Sequence, residues 1–272
     1  MAWQDLSLAG LARANEENLF ALFESLRKWP RIQVQADERA LRTLSDVPFP
    51  IFNSVLRARL GREPELAAAS LLAPYRERGL PMMWWLGPGT RPAGLGAILE
   101  REGLLRAASS IAMALDLGRT LPPAARIGGF RIERVWGEET LAGWIRAYAA
   151  GFGLPDFVAR AWAEGLRAVG FGPTFAADHY LGVLDGRPVA SASLFRGAGV
   201  AGVYNVAVRE GARGRGIGTA VTLAALADAR AEGFRVAVLQ ASALGHGVYR
   251  SLGFEDLFEL EQWVWVGGEA VD

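Results

Sequence analysis

Residues 213 to 218 read Arg-Gly-Arg-Gly-Ile-Gly and combine glycine with positive charge in a way that suits anion binding. Glycine lets the backbone turn tightly and approach a ligand closely. A helix that starts after such a turn directs unpaired N–H groups and a partial positive charge at whatever lies above it. The stretch therefore predicts a phosphate-binding turn, to which Arg213 and Arg215 add mobile positive charge.

The neighbouring residues predict a strand before this turn and a helix after it. Residues 203–208 alternate as a strand does, and residues 219–230 are rich in alanine and leucine, which favours a helix. The turn lacks the Gly-Lys-Ser/Thr of nucleotide-hydrolysing loops. Ala212 stands where a dinucleotide-binding fingerprint would have its first glycine. A glycine-rich turn that only caps an ordinary helix is the alternative interpretation.

A second motif lies downstream, where residues 249–254 read Tyr-Arg-Ser-Leu-Gly-Phe after an apolar strand. Arg-x-x-Gly-x-Gly followed, at this separation, by Tyr-x-x-Leu-Gly-Phe resembles the GNAT acyltransferase superfamily. The resemblance extends from about Gly128 to Trp265. It implies acetyl-CoA as co-substrate and an amine as acceptor.

The resemblance also implies where acetyl-CoA binds. Backbone groups at the strand end would hold the pantetheine arm, and backbone N–H groups across the turn would hold the pyrophosphate. The structural alternatives are that the two valines only pack in the core, that the two arginines are ordinary surface residues, and that the threonine only caps the helix or faces solvent. The expected cofactor-binding residues are Val206, Ala207, Val208, Arg213, Gly214, Arg215, Gly216, Ile217, Gly218, Thr219 and Ser242.

Two residues are the expected catalytic groups. Tyr249 resembles the superfamily tyrosine that protonates the leaving sulfur, and an unperturbed tyrosine keeps its proton at neutral pH; its alternative role is to pack a helix against the sheet. Asn205 could bind the amine or hold a water.

The general base is left open, because residues 199–208 contain no carboxylate. Asp178 and His179, predicted to lie in a loop, His246, and a chain of water molecules are the candidates. Two segments, residues 152–157 and 171–175, are the candidate rim of the acceptor site.

The predicted fold class is α/β (α+β), with two tandem GNAT-like domains, each a mixed, mostly antiparallel twisted sheet flanked by helices. We expect a degenerate N-terminal domain over residues 1–117, a linker over 118–127 and an acetyl-CoA-binding domain over 128–272. The tandem interpretation depends on an internal similarity between the two halves of the chain, in which Gly103-Leu104 aligns with Gly253-Phe254.

Composition excludes several other classes. Lys+Arg 29 balances Asp+Glu 29, so nothing indicates a nucleic-acid surface. The chain has no cysteine and only 2 histidines, which argues against a metal centre. No apolar run is long enough for a membrane span. We expect a cytoplasmic protein, a monomer or homodimer, with the low lysine content typical of GC-rich bacteria.

Three functions follow from the sequence. The first is an acetyl-CoA-dependent N-acetyltransferase that acts by direct transfer on a primary amine of a small molecule or protein. The second is a CoA-binding or ligand-sensing module without turnover. The third, a purely structural interaction protein, would leave Arg213 to Gly218 unexplained.

Overall fold

A computed structural model describes residues 3–107, 109–172 and 175–267. The described residues form two compact units, one within residues 3–19 and 112–257, the other within residues 20–111 and 258–267. We call them the first and the second unit.

The strands, in chain order, are β1 Ile32–Ala36, β2 Leu41–Ser45, β3 Ser54–Leu56, β4 Met82–Leu86, β5 Leu105–Arg106, β6 Ser110–Asp116, β7 Phe130–Arg134, β8 Ala177–Leu184, β9 Arg187–Gly197, β10 Val200–Val208, β11 Val236–Ala241 and β12 Glu255–Trp265. The α-helices are α1 Leu8–Ser25, α2 Pro64–Glu77, α3 Leu95–Arg101, α4 Glu138–Phe152, α5 Asp156–Val169, α6 Ile217–Ala231 and α7 His246–Ser251.

The first unit has a mixed sheet in the order β7-β8-β9-β10-β11-β6. The pairs from β7 to β10 are antiparallel, whereas β10 and β11 are parallel. The β8–β9 hairpin turns at Asp185 and Gly186, whose φ values of 49° and 77° are those of the turn that joins two-residue hairpins. Helix α4 packs on β8, β9 and β10, and α6 packs on the same three strands.

The second unit has the strand order β1-β2-β3-β4-β12. In this order the β3–β4 pair is parallel, and the pairs β1–β2, β2–β3 and β4–β12 are antiparallel. Its core contains Leu71, Leu72 and Tyr75 of α2. Leu66, in the first turn of α2, is 66% exposed. Each unit thus has the mixed, mostly antiparallel sheet with helices that the sequence predicts.

The compact units do not follow the order of the chain. The start of α1 and most of β6 belong to the first unit, and most of β12 belongs to the second. Residues 118–127 contain no helix or strand. The domain limits at 117 and 128 remain predictions, because each compact unit combines two separate stretches of the chain and does not correspond to one continuous domain.

No helix in the described part of the chain is long and apolar enough to cross a membrane. Among the same residues, no group of three or more His, Cys, Asp or Glu side chains is placed to hold a metal ion.

Candidate functional site

Strands β10 and β11 separate soon after they begin to pair. Their parallel register covers Ala201 with Ala237 and Gly202 with Val238. On its other side β10 stays paired with β9 as far as Val208. Within the described pairs, the later half of β10 therefore has no partner on the β11 side, and its backbone groups line an opening.

A β-bulge at Asn205 marks the place where the strands separate. The register with β9 shifts between Tyr204 and Ala207, and Asn205 has a φ of 54°, a region that Asn tolerates better than most residues. Ser191 Oγ donates to the Asn205 carbonyl at 2.8 Å, and Asn205 Nδ2 donates to Ser193 Oγ at 3.2 Å. Two serines of β9 thus hold the bulge, which bends the strand locally.

The strand end has the exposure that a backbone-binding site requires. Val206 and Val208 are half-buried, and Ala207 is 6% exposed. Helix α4 approaches so closely that a Cβ on Gly151 would lie 2.6 Å from the Ala207 Cβ. Glycine at 151 therefore lets α4 pack directly on this part of β10.

The glycine-rich turn leads into α6 as predicted. Gly214 and Gly216 have φ values of 74° and 76°, which L-residues adopt only with strain. Gly216 is the N-cap, without a capping side chain. The first helical hydrogen bond at this end runs from Ala220 N to Gly216 O. The N–H groups of residues 217–219 therefore lack intrahelical partners, and they form a positive helix end suited to an anion.

The two arginines of the turn differ in their contacts. Arg213 donates from Nε to the Val208 carbonyl at 3.1 Å and from Nη2 to the Gly151 carbonyl at 3.0 Å. Arg215 is exposed and makes no hydrogen bond or ion pair with the described residues. Arg213 thus ties the turn to β10 and α4, whereas Arg215 is free to bind a ligand.

A group of charged residues fixes α6 on the sheet. Asp178 accepts from Arg134 at 3.0 Å and from Arg196 at 2.5 Å. The two arginines also bind residues at the C-terminal end of α6: Arg134 pairs with Asp228, and Arg196 with Glu232 at 2.6 Å. These pairs orient α6, and with it the turn at the other end of the helix.

Tyr249 lies on α7, is 8% exposed and packs edge-on against Phe254 at 5.9 Å between ring centroids. Burial raises the pKa of Tyr249 to about 12, because the phenolate loses its solvation. Its hydroxyl makes no hydrogen bond with the described residues. The side chain thus carries a proton at neutral pH and remains available to a ligand.

Two further predicted residues have local contacts. Ser242 Oγ accepts from Gly245 N at 3.3 Å, so Ser242 helps to start α7. Thr219 is half-buried, and its hydroxyl makes no hydrogen bond with the described residues. The cofactor-binding roles of both remain predictions.

The prediction that Asp178 and His179 lie in a loop is wrong, because both belong to β8 and each is 3% exposed. The Asp178 carboxylate is committed to two arginines. Burial lowers the pKa of His179 to about 4, against a smaller opposing effect of Asp178. His179 Nδ1 lies 2.7 Å from Ser193 Oγ. Neither β8 residue is therefore an accessible base. His246, the remaining candidate side chain, pairs with Asp256 at 2.9 Å.

The first candidate rim segment joins α4 to α5. Phe152 and Phe157 are 52% and 38% exposed. Tyr148, one turn earlier on α4, lies 5.1 Å from the Phe152 ring. In the second candidate segment, Pro173 and Thr174 lie outside the described residues, and Phe175 is 39% exposed.

Sequence reasoning missed the contribution of α1 to this unit. Asn15 and Asn18 are fully buried, and their amides bond to Gln240 and Tyr204 at the opening. The signal was present as two asparagines spaced i, i+3 on one helix face, since asparagine is disfavoured within helices.

In a comparison with known families, residues 155–254 match the model of the acetyltransferase (GNAT) family. No curated protein matches the chain.

Several solved structures share the fold over nearly the whole chain. A GCN5-related N-acetyltransferase from Kribbella flavida is 19% identical, with a TM-score of 0.71 and coverage of 96% of this chain and 97% of the other. One from Sphaerobacter thermophilus is 15% identical, with a TM-score of 0.63 and coverage of 96% and 94%. A tandem GNAT protein from the clavulanic acid biosynthesis pathway is 17% identical, with a TM-score of 0.58 and coverage of 99% and 98%. The predicted family resemblance is thus confirmed for residues 155–254, and the predicted fold is confirmed over nearly the whole chain.

Proposed function

We propose that this chain is a GNAT-superfamily, acetyl-CoA-dependent N-acetyltransferase that transfers the acetyl group directly to a primary amine of a small molecule or protein. One observation carries the proposal. The strand end without a β11 partner leads through two left-handed glycines, Gly214 and Gly216, into a helix end with free N–H groups. A ligand with an amide-containing arm and a diphosphate fits this pairing.

Acetyl-CoA would bind mainly through the backbone. The N–H groups at the start of α6 hold the pyrophosphate, and Arg215 adds a charge-assisted contact. The pantetheine arm runs back along Val206 to Val208, whose backbone faces the opening. Arg213 contributes indirectly, because its bonds to the Val208 and Gly151 carbonyls keep the turn and the strand end together.

In the transfer step, the amine nitrogen forms a bond to the thioester carbonyl carbon and the carbon–sulfur bond breaks. The nitrogen releases a proton to water. The sulfur takes a proton from the Tyr249 hydroxyl, which regains one from solvent. Burial raises the pKa of Tyr249 to about 12, so it is fully protonated before the step. Asn205, at the bulge, lies where it can orient the amine or a water.

The test is release of CoA, detected with a thiol reagent, from acetyl-CoA and a panel of primary amines. The chain has no cysteine, so the protein contributes no thiol background. Amine-dependent release supports the proposal. Acetyl-CoA binding without release for any amine would contradict transferase function and favour the second candidate.

That second candidate is a CoA-binding or ligand-sensing module without turnover. A specific observation favours it: β10 has no carboxylate in residues 200–208, and the two polar β8 residues are buried. A sensor predicts thermal stabilisation by CoA and acetyl-CoA alike, with no release of thiol.

A cytoplasmic location in a bacterium, and a monomer or homodimer, belong to the proposal as predictions from composition.

A further inference from the structure

Helix α1 anchors the sheet of the first unit through two buried asparagine amides. Asn15 Nδ2 donates to the carbonyls of Met113 and Leu239, each at 3.0 Å. Asn18 Nδ2 donates to the carbonyls of Gly197 at 2.8 Å and of a β10 residue at 3.2 Å. These bonds use only the donor side of each amide.

The acceptor side of each amide has a different partner. Asn18 Oδ1 accepts from the Tyr204 hydroxyl at 2.8 Å, and Asn15 Oδ1 accepts from Gln240 Nε2 at 2.6 Å. Tyr204 lies on β10 and Gln240 on β11, and both are half-buried. The two asparagines therefore orient the polar groups of two residues that flank the opening.

The strand register shows which face of the sheet these groups occupy. His179, Ser193 and Tyr204 stand opposite one another across β8, β9 and β10, so their side chains share one face. Trp144 of α4 packs on His179 at 5.2 Å between ring centroids. The face that these side chains share is therefore the one that α4 covers, and we call it the α4 face. Tyr180, the next residue along β8, points to the α6 face, where its hydroxyl donates to Asp228 at 2.5 Å.

The direction of the bound cofactor follows from the proposed function, on which this inference rests. The pyrophosphate end lies at the start of α6, and the arm runs back from Val208 towards Val206. Its thioester end consequently points towards Tyr204 and Asn205. Tyr204 is thus the residue of the α4 face that comes next along the path of the cofactor.

We infer that the Tyr204 hydroxyl, oriented by Asn18 of α1, is a positioning group for the acceptor amine. Its O–H is committed to Asn18 Oδ1, and one lone pair of its oxygen accepts from Gln240. The second lone pair is left to accept an N–H from the amine beside the thioester. Burial raises the pKa of Tyr204, and a hydrogen bond with Gln240 partly offsets the rise. The hydroxyl thus keeps its proton, and the amide–hydroxyl bond holds its direction, throughout the neutral range.

A purely structural role makes a different prediction. If Tyr204 only anchors α1, loss of its hydroxyl weakens the fold and leaves the affinity for the amine unchanged. The two roles are separated by a geometric probe and a kinetic one.

The geometric probe uses the absence of native cysteine. Tyr204→Cys places a single thiol at the proposed acceptor position, and Tyr180→Cys places one on the opposite face of the neighbouring strand. Each variant is treated with bromoacetyl-CoA. Where the thiol lies beside the bound thioester, its sulfur displaces bromide from the reagent's methylene carbon, and the proton and bromide leave.

We expect Tyr204→Cys to be alkylated at least about tenfold faster than Tyr180→Cys, because binding holds the two reacting groups together. Excess CoA should abolish this difference. Mass spectrometry of the intact protein reports the adduct. If Tyr204→Cys does not fold by its thermal transition, Gln240→Cys is the second variant, with the same expectation.

The kinetic probe compares Tyr204→Phe with Tyr180→Phe, each of which loses one hydrogen-bonded hydroxyl. With an amine that supports CoA release, we expect Tyr204→Phe to raise the KM for the amine about five- to tenfold, the size of one lost hydrogen bond. Its acetyl-CoA affinity should be unchanged. Tyr180→Phe should leave that KM unchanged.

The outcomes distinguish failure of this inference from failure of the proposed acetyltransferase function on which it rests. A wild-type chain that does not bind acetyl-CoA would overturn both. A chain that binds acetyl-CoA, with no preferential alkylation in a folded Tyr204→Cys or Gln240→Cys variant, would overturn the inference alone. So would an unchanged KM in Tyr204→Phe.

Discussion

Replacement of Gly216 by glutamate tests the pyrophosphate site at its N-cap. Gly216 has a φ of 76°, so any L-residue there costs about 1–2 kcal/mol of folding free energy. The space itself is open, since a Cβ would meet only Ile127 Cδ1, at 3.9 Å. The new carboxylate would therefore be accommodated beside the proposed anion site, and its effect on binding would be electrostatic.

The magnitude follows from the charges. Two unit charges about 6 Å apart at an effective dielectric constant of about 20 repel each other by about 3 kcal/mol, which corresponds to roughly a hundredfold weaker binding. Gly216→Gln is the matched control, because it has the same backbone strain and nearly the same bulk without the charge. The ratio of the two Kd values for CoA isolates the effect of charge.

The assay is isothermal titration calorimetry of both variants with CoA at low and high salt. We expect the glutamate variant to bind roughly a hundredfold more weakly than the glutamine variant at low salt, with the ratio falling as salt screens the repulsion. Equal affinities of the two variants would refute the assignment of the α6 N-terminus as the pyrophosphate site.

Three further predictions follow from the site. Tyr249→Phe should lower kcat more than tenfold and leave the Kd of acetyl-CoA within about twofold, since one proton donor is lost without bulk; equal turnover would remove Tyr249 from the mechanism. Arg215→Ala should weaken CoA binding by about 1–2 kcal/mol without changing the melting temperature, whereas Arg213→Ala should lower the melting temperature as well; thermal unfolding and calorimetry of both variants separate these roles. The pKa of His179 is about 4 in the folded protein, below its ordinary value of 6.5. At a pH between these two values the unfolded chain therefore binds more protons than the folded one. The free energy of unfolding should consequently fall by about 2 kcal/mol from pH 7 to pH 4.5. Denaturant unfolding of wild type and His179→Gln at both pH values should show this contribution only in the wild type, and equal pH dependence would contradict it.

The sequence predicted the elements around the turn because their signals are local. Two positive-φ glycines, an alternating strand and an alanine-rich helix each depend on a few consecutive residues. The hairpin at Asp185-Gly186 was predictable for the same reason. Tyr249 could be placed on a short helix, but its burial depends on how α7 packs.

The parts that were missed depend on contacts between distant residues. Asn15 bonds to carbonyls 98 and 224 residues away, and no local pattern reports such partners. Asp178 and His179 follow a glycine- and proline-containing stretch, and its composition favours a loop beyond the residue at which β8 begins. The start of β8 is set by its pairing with β9, which the short local pattern does not contain.

The central claim is that acetyl-CoA binds to the backbone of the strand end and the helix start. Amide hydrogen exchange of the full chain, with and without acetyl-CoA, tests it most directly. We predict slower exchange at Val206 to Val208 and at residues 214–219 when acetyl-CoA is bound. Unchanged exchange at both segments, at an acetyl-CoA concentration that stabilises the protein against heat, would contradict the account.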